Sequence, residues 1–171
     1  MVGAESFSTI AEVAIAFLGF TGMVGIFAGQ DHPPAVLMRF WAMVAFGLAL
    51  LLLALLPLVL HHLGWAAPRL WVACSIALLL FLVGHIALFV PRVVRLRRVG
   101  AWGGVPFIVD NAPPLMLSAC LVTQVLNLLG VGLGRSHGGY LLGLFFLLAA
   151  SGFNFITLLV ALRSSEPRQA V

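Results

Sequence analysis

Residues 38–62 read MRFWAMVAFGLALLLLALLPLVLHH, and this stretch decides the class of the fold. Between Phe40 and Leu60 it contains no charged residue. A helix needs about 20 mostly apolar residues to cross the hydrocarbon core of a bilayer. Four further stretches of the same kind lie at about residues 7–28, 69–91, 113–133 and 140–162. The sequence therefore predicts an all-α bundle of five membrane-spanning helices, which form a single domain over residues 1–171.

The composition points in the same direction. Hydrophobic residues make up 63% of the chain and charged residues 8%, whereas a soluble domain carries roughly 25% charged residues. The first segment has no basic region before it, and Glu5 and Glu12 lie where a signal peptide would be basic or apolar, so we expect the segment to stay as a span rather than be cleaved. The abundance of Arg, Ala, Gly and Leu suggests a GC-rich genome. We therefore predict a multi-pass protein of a bacterial inner membrane.

The distribution of arginine predicts the orientation, because cytoplasmic loops carry an excess of basic residues. With the N-terminus outside and the C-terminus in the cytoplasm (N-out/C-in), the outer side holds only Arg69 and Arg135. The cytoplasmic side then holds Arg39, Arg92, Arg95, Arg97, Arg98, Arg163 and Arg168.

One dense run of charge, RVVRLRR, follows the third segment. We expect Arg92, Arg95, Arg97 and Arg98 to contact anionic lipid headgroups, since each arginine near the surface adds about 1 kcal/mol of attraction. A docking site for a partner or for a specific phosphoryl ligand is the alternative. Because the arginines flank apolar spans, lipid phosphate is the expected anion and no nucleic-acid partner is predicted.

Polar residues inside the predicted spans are the next most informative feature. Ionisable groups are costly in a bilayer and point to function, whereas Asn, Gln, Ser and Thr commonly join helices by hydrogen bonds. Two interpretations stay open, a packing role and a path for ions or protons across the membrane. The residues concerned are Glu12, His85, Gln124, Asn127, Ser151 and Asn154.

Small residues in the first span predict close helix contact. Thr21, Gly25 and Gly29 stand four residues apart, a spacing that lets two helix backbones approach each other. The spacing fits packing inside one bundle and a seam between copies of the chain equally well.

The chain lacks HExxH, a P-loop and GxGxxG, and the letters GRSHG at residues 134–138 match GxSxG but join two predicted helices rather than a strand and a helix. The histidines fall at different depths, so no metal or other cofactor is predicted. Asp110 and Asn111 precede Pro113 and Pro114, a pattern typical of a helix start in which a capping residue is followed by proline in the first turn.

The segment Ile10–Phe27, IAEVAIAFLGFTGMVGIF, resembles the first helix of a group of small bacterial multi-span membrane proteins of unknown function. The resemblance implies neither an activity nor site residues.

Two hypotheses about function follow. The first is a non-enzymatic bundle that associates with itself or joins a larger membrane complex, and the second is a small channel or transporter that uses the intramembrane polar residues.

Overall fold

The computed structural model of the chain describes residues 4–27, 33–102, 105–132 and 135–165. Within these residues it is all-helical, and each of the five helices is long and apolar enough to cross a membrane. The predicted fold class is confirmed, and the helices are those of a multi-pass membrane protein. They are α1 (Ala4–Phe27), α2 (Pro34–His62), α3 (Ala67–Arg98), α4 (Phe107–Leu129) and α5 (His137–Ser165).

Proline and glycine set several helix ends. Pro34 and Pro68 lie in the first turns of α2 and α3, where a backbone N–H has no helical partner to lose. Gly130 ends α4 at φ 75°, a left-handed conformation that a residue without a Cβ adopts at no steric cost.

Two boundaries differ from the sequence prediction because proline does not end these helices. The predicted third span stops at Pro91, but α3 continues to Arg98. The predicted fourth span begins at residue 113, but α4 begins at Phe107 and contains Pro113 and Pro114 in its interior. Each proline removes one backbone hydrogen bond. In α4 these are the bonds that the carbonyl oxygens of Val109 and Asp110 would otherwise accept from residues 113 and 114.

Successive helices run in opposite directions, so the bundle has two distinct ends. At one end, Phe7 of α1 lies against Trp71 of α3 and Tyr140 of α5. At the other end, Arg39 of α2 meets the carboxylate of Asp110 near the start of α4. We call the latter the arginine-rich end and the former the opposite end.

Helices α2 and α5 form the centre of the bundle. Helix α2 contacts α1, α3 and α5, and α5 contacts each of the other four helices. The main core lies towards the opposite end, where the Tyr140 hydroxyl donates to the carbonyl oxygen of Leu53 at 2.7 Å. A smaller core of Val36, Met43, Leu158 and Ala161 lies towards the arginine-rich end.

Helix α3 changes character along its length. Its buried residues end at Leu82, four turns before the helix itself ends. The last part of α3 therefore lies at the surface of the bundle beside the beginning of α2.

Candidate functional site

A cluster of charged and aromatic side chains joins three helices at the arginine-rich end. Asp110 lies in the first turn of α4, and its Oδ1 accepts a hydrogen bond from Arg39 Nη2 at 3.0 Å. Its Oδ2 accepts from Arg97 Nη2 at 2.8 Å and from Trp102 Nε1 at 2.9 Å. The Arg39 guanidinium carbon lies 4.1 Å from the centroid of the Trp102 ring, which adds a cation–π contact. We call these four residues the Asp110 cluster.

Burial makes the two ion pairs of this cluster unequal. The Arg39 side chain is 2% exposed and Asp110 13%, whereas Arg97 is 48% exposed. Within the described residues, Nε and Nη1 of Arg39 have no hydrogen-bond partner. Asp110 and the Trp102 ring are therefore the groups that compensate a guanidinium withdrawn from water.

The cluster corrects the role predicted for Asp110. The N-cap of α4 is Pro106, with no side-chain hydrogen bond, and Asp110 lies inside the helix. A capping pattern considers only residues close in sequence, whereas Arg39 is 71 residues away. The sequence feature that points to Asp110 is the scarcity of acidic residues in the chain.

A second polar cluster lies at the opposite end, where α3, α4 and α5 meet. Asn127 Nδ2 donates to the Ser75 hydroxyl at 2.9 Å, and Asn127 Oδ1 accepts from the Ser136 backbone N–H at 3.2 Å. Gln124 Nε2 donates to the carbonyl oxygen of Gly139 at 3.0 Å. Gln124 and Asn127 thus connect α4 to α3 and to the start of α5. Ser75 is a further member of this cluster, and the sequence does not predict it.

Two glycines of α5 make room for these amides. A Cβ added to Gly139 would collide with the Asn127 side chain, and one added to Gly143 would collide with Gln124 and lie close to Leu78. The Cys120 thiol also donates to the carbonyl oxygen of Gly143 at 3.1 Å. Helices α4 and α5 therefore pack with amide side chains of one helix seated against the bare backbone of the other.

The other polar residues of the spans lie elsewhere. Ser151 and Asn154 are buried on α5, and Thr157 donates to the carbonyl oxygen of Asn154 at 2.7 Å. His85 is half-buried on α3, with its ring 4.2 Å from that of Phe89 and 4.5 Å from that of Phe46 between centroids. Gln124 and Asn127 thus bond to separate partners from the same helix, and His85 lies in an aromatic setting.

Glu12 faces away from the bundle. Its side chain is exposed on α1, and it makes no hydrogen bond or ion pair with any residue in the described part of the chain. Gly19, seven residues further along the same face, is also exposed, and beyond the backbone of α1 itself no atom of the described residues lies within 4 Å of where its Cβ would be.

Two of the small residues predicted for close helix contact, Thr21 and Gly25, face other parts of the same chain. Thr21 is buried and donates to the carbonyl oxygen of Phe17, and an added Cβ on Gly25 would lie 2.7 Å from the Phe40 ring of α2. Gly29 lies outside the described residues. Thr21 and Gly25 therefore serve packing within one chain, and the outward face of α1 is a different surface.

The arginine run divides into three environments. Arg97 belongs to the Asp110 cluster, and Arg98 is exposed. Arg92 and Arg95 line a groove of 560 Å³ between the beginning of α2 and the end of α3, together with Leu37, Trp41 and Phe89. The sequence predicts one set of four arginines, because it does not determine the direction in which each side chain leaves the helix.

No protein-family model matches the chain, and neither a curated protein nor a solved structure matches it significantly.

Proposed function

We propose that this protein is a non-enzymatic membrane protein that self-associates in the bilayer through the outward face of α1. The observation that carries the proposal is the position of Glu12. It lies about 5 Å of helix rise from the middle of α1. Half the hydrocarbon thickness is about 15 Å, so a centred span would hold Glu12 about 10 Å below the nearer headgroups.

A carboxyl group at that depth is costly when it faces lipid. Acidic residues near the centre of a span cost about 2.5 to 3.5 kcal/mol on insertion scales. A second copy of the chain offers relief, because a protonated carboxyl both donates and accepts a hydrogen bond. Two Glu12 side chains that meet across a twofold axis can therefore satisfy each other.

The rest of this face suits close approach of two helices. Ser8, Glu12 and Gly19 lie on one side of α1, and all three are exposed. The interval of seven residues from Glu12 to Gly19 is the repeat along which two helices stay in contact at a shallow crossing angle. Gly19 would let the two backbones approach closely. The dispersion contacts between the helices then exceed those that each helix makes with lipid.

We further propose that the arginine-rich end faces the cytoplasm of a bacterial cell, with the N-terminus outside. Basic residues accumulate on the cytoplasmic side of inner-membrane proteins. Among the described residues, Arg69 and Arg135 are the arginines at the opposite end. Those at the arginine-rich end are Arg39, Arg92, Arg95, Arg97, Arg98 and Arg163.

The proposed association is tested by measuring energy transfer between labelled copies of the full chain in liposomes. We expect Glu12→Leu and Gly19→Leu to weaken association about tenfold, since an interhelical contact of this kind contributes about 1 to 2 kcal/mol. Glu12→Gln should retain most of it because an amide also donates and accepts.

Gly84→Leu is the matched control for the leucine at Gly19. Gly84 is an exposed glycine in the middle of α3, and beyond the helix's own backbone no atom in the described part of the chain lies within 4 Å of its Cβ position. The Gly84→Leu substitution should leave association unchanged. Equal energy transfer in the wild type and Glu12→Leu, or a chain that stays monomeric at every protein-to-lipid ratio, would contradict the proposal.

A further inference from the structure

We propose that the groove between the beginning of α2 and the end of α3 binds one anionic phospholipid. In this arrangement Arg92 and Arg95 hold the phosphate, and an acyl chain lies along Leu37, Trp41 and Phe89. The inference is independent of the self-association proposed for α1, because it concerns different helices and a different surface.

The groove has the size and lining that such a ligand needs. It is an open groove with a volume of 560 Å³, which is in the range of sites for small organic molecules, and apolar side chains form most of its walls. Leu37 and Trp41 come from the first turns of α2, and Phe89 comes from the part of α3 that runs along the surface. Trp41 is 62% exposed although it lies in an apolar helix. An open apolar wall with tryptophan at its rim is characteristic of the boundary between headgroups and acyl chains.

The two arginines are available for an anion. They are three residues apart on α3, so they project from the same side of the helix. Asp110, the acidic residue that the structure describes at this end, already accepts hydrogen bonds from Arg39 and Arg97. Arg92 and Arg95 thus keep their positive charges for a ligand.

Arg92 holds its positive charge next to the apolar wall of the groove. One of its terminal nitrogens donates to the carbonyl oxygen of Leu88 at 2.9 Å, one turn back towards the middle of α3. The guanidinium therefore lies beside the groove wall at the level of Phe89 rather than extending beyond the helix end. It retains further N–H donors, and a guanidinium pairs well with phosphate oxygens.

The apolar walls decide between a lipid and free phosphate. Inorganic phosphate would use Arg92 and Arg95 alone and would leave Leu37, Trp41 and Phe89 uncovered. A phospholipid covers both parts of the groove, with its charge at the arginines and its chain on the aromatic wall. The site differs from general attraction to a negative surface because Arg97 and Arg98 do not line it.

Native mass spectrometry of the full chain in detergent tests the proposal. The probe is phosphatidylglycerol, compared with phosphatidylcholine that has the same acyl chains. We expect one phosphatidylglycerol to bind in preference to phosphatidylcholine. The double variant Arg92→Gln/Arg95→Gln should weaken this binding by about 25-fold, which is about fivefold for each arginine. Replacing both with lysine should preserve most of the preference and shows that the surface still folds.

Arg98→Gln is the matched control because it removes one charge of the same run outside the groove. Leu37→Asn places a polar group on the wall and should weaken lipid binding while the arginines remain. Equal binding in the wild type and the double glutamine variant would overturn the proposal, as would an equal loss in Arg98→Gln. Binding of inorganic phosphate as tightly as phosphatidylglycerol would show that the apolar wall takes no part, which also contradicts the site.

Discussion

At the scale of single residues, Asp110 is the carboxylate that forms both ion pairs of the Asp110 cluster. It faces a guanidinium of Arg39 that is 2% exposed and shares its second oxygen with Arg97 and Trp102. A buried charge without its partner is far more costly than the pair, because desolvation is no longer compensated. Asp110 should therefore matter for stability much more than its exposed partner.

We expect Asp110→Asn to lower the free energy of unfolding by about 3 kcal/mol, because it leaves the Arg39 charge buried without a counter-ion. Arg97→Gln is the comparison at the same carboxylate. Arg97 is 48% exposed, so its loss should cost less than about 1 kcal/mol. Reversible unfolding of both variants by SDS in mixed micelles measures the difference. Equal effects of the two substitutions would show that burial of Arg39 does not set the energy of the cluster.

Residue roles were harder to predict than residue locations. The sequence places Asp110 at the start of a span and Arg39 at the head of another, but their contact depends on how α2 and α4 pack. Trp71 and Trp102 illustrate the same limit. Both lie near span ends, as expected of interfacial residues, yet Trp71 is buried against Phe7 and Trp102 donates to Asp110.

At the scale of helices, α5 shows how the same residue type can have opposite roles. Gly143 faces α4, and an added Cβ would collide with the Gln124 amide and approach Leu78. Gly152 lies on the same helix, and apart from the backbone of α5 none of the atoms that the structure describes lies within 4 Å of its Cβ position. One glycine is required by helix packing, whereas the other only weakens the helix that contains it.

Gly143→Ala should destabilise the protein by about 1 to 3 kcal/mol, the usual cost of overpacking a filled interface. Gly152→Ala should be neutral or stabilising by up to about 1 kcal/mol, because alanine is the better helix former. Unfolding of the two variants in parallel checks this contrast. A Gly143→Ala protein as stable as Gly152→Ala would mean that the Gln124 side chain can leave its position at no cost.

The number of helices follows from hydropathy, but their outward faces do not. In a soluble helix the polar face marks the surface, whereas in lipid both the core and the surroundings are apolar. Gly25 and Gly19 therefore look alike in the sequence although one contacts Phe40 and the other faces outward. The end of α3 and the start of α4 also differ from the prediction. A proline inside a helix removes one backbone hydrogen bond, but the helix continues where the other turns remain bonded.

At the scale of the whole molecule, the two ends of the bundle have different chemistry. The opposite end is held by neutral groups, with Asn127, Ser75 and Gln124 bonded among α3, α4 and α5. The arginine-rich end is held by the ion pairs of Asp110 and presents the groove of Arg92 and Arg95. The proposed orientation brings that groove to the cytoplasmic leaflet, where anionic lipids provide a negative surface potential.

Cysteine labelling of intact bacterial cells tests the central claim, five crossings with the arginine-rich end inside. A membrane-impermeant maleimide should label Ser6→Cys and Arg135→Cys directly, and Arg98→Cys and Arg163→Cys only after permeabilisation. The unsubstituted chain is the blank, because Cys74 and Cys120 are buried. Labelling of Arg98→Cys in intact cells, or labelling of Ser6→Cys and Arg163→Cys from the same side, would contradict the account.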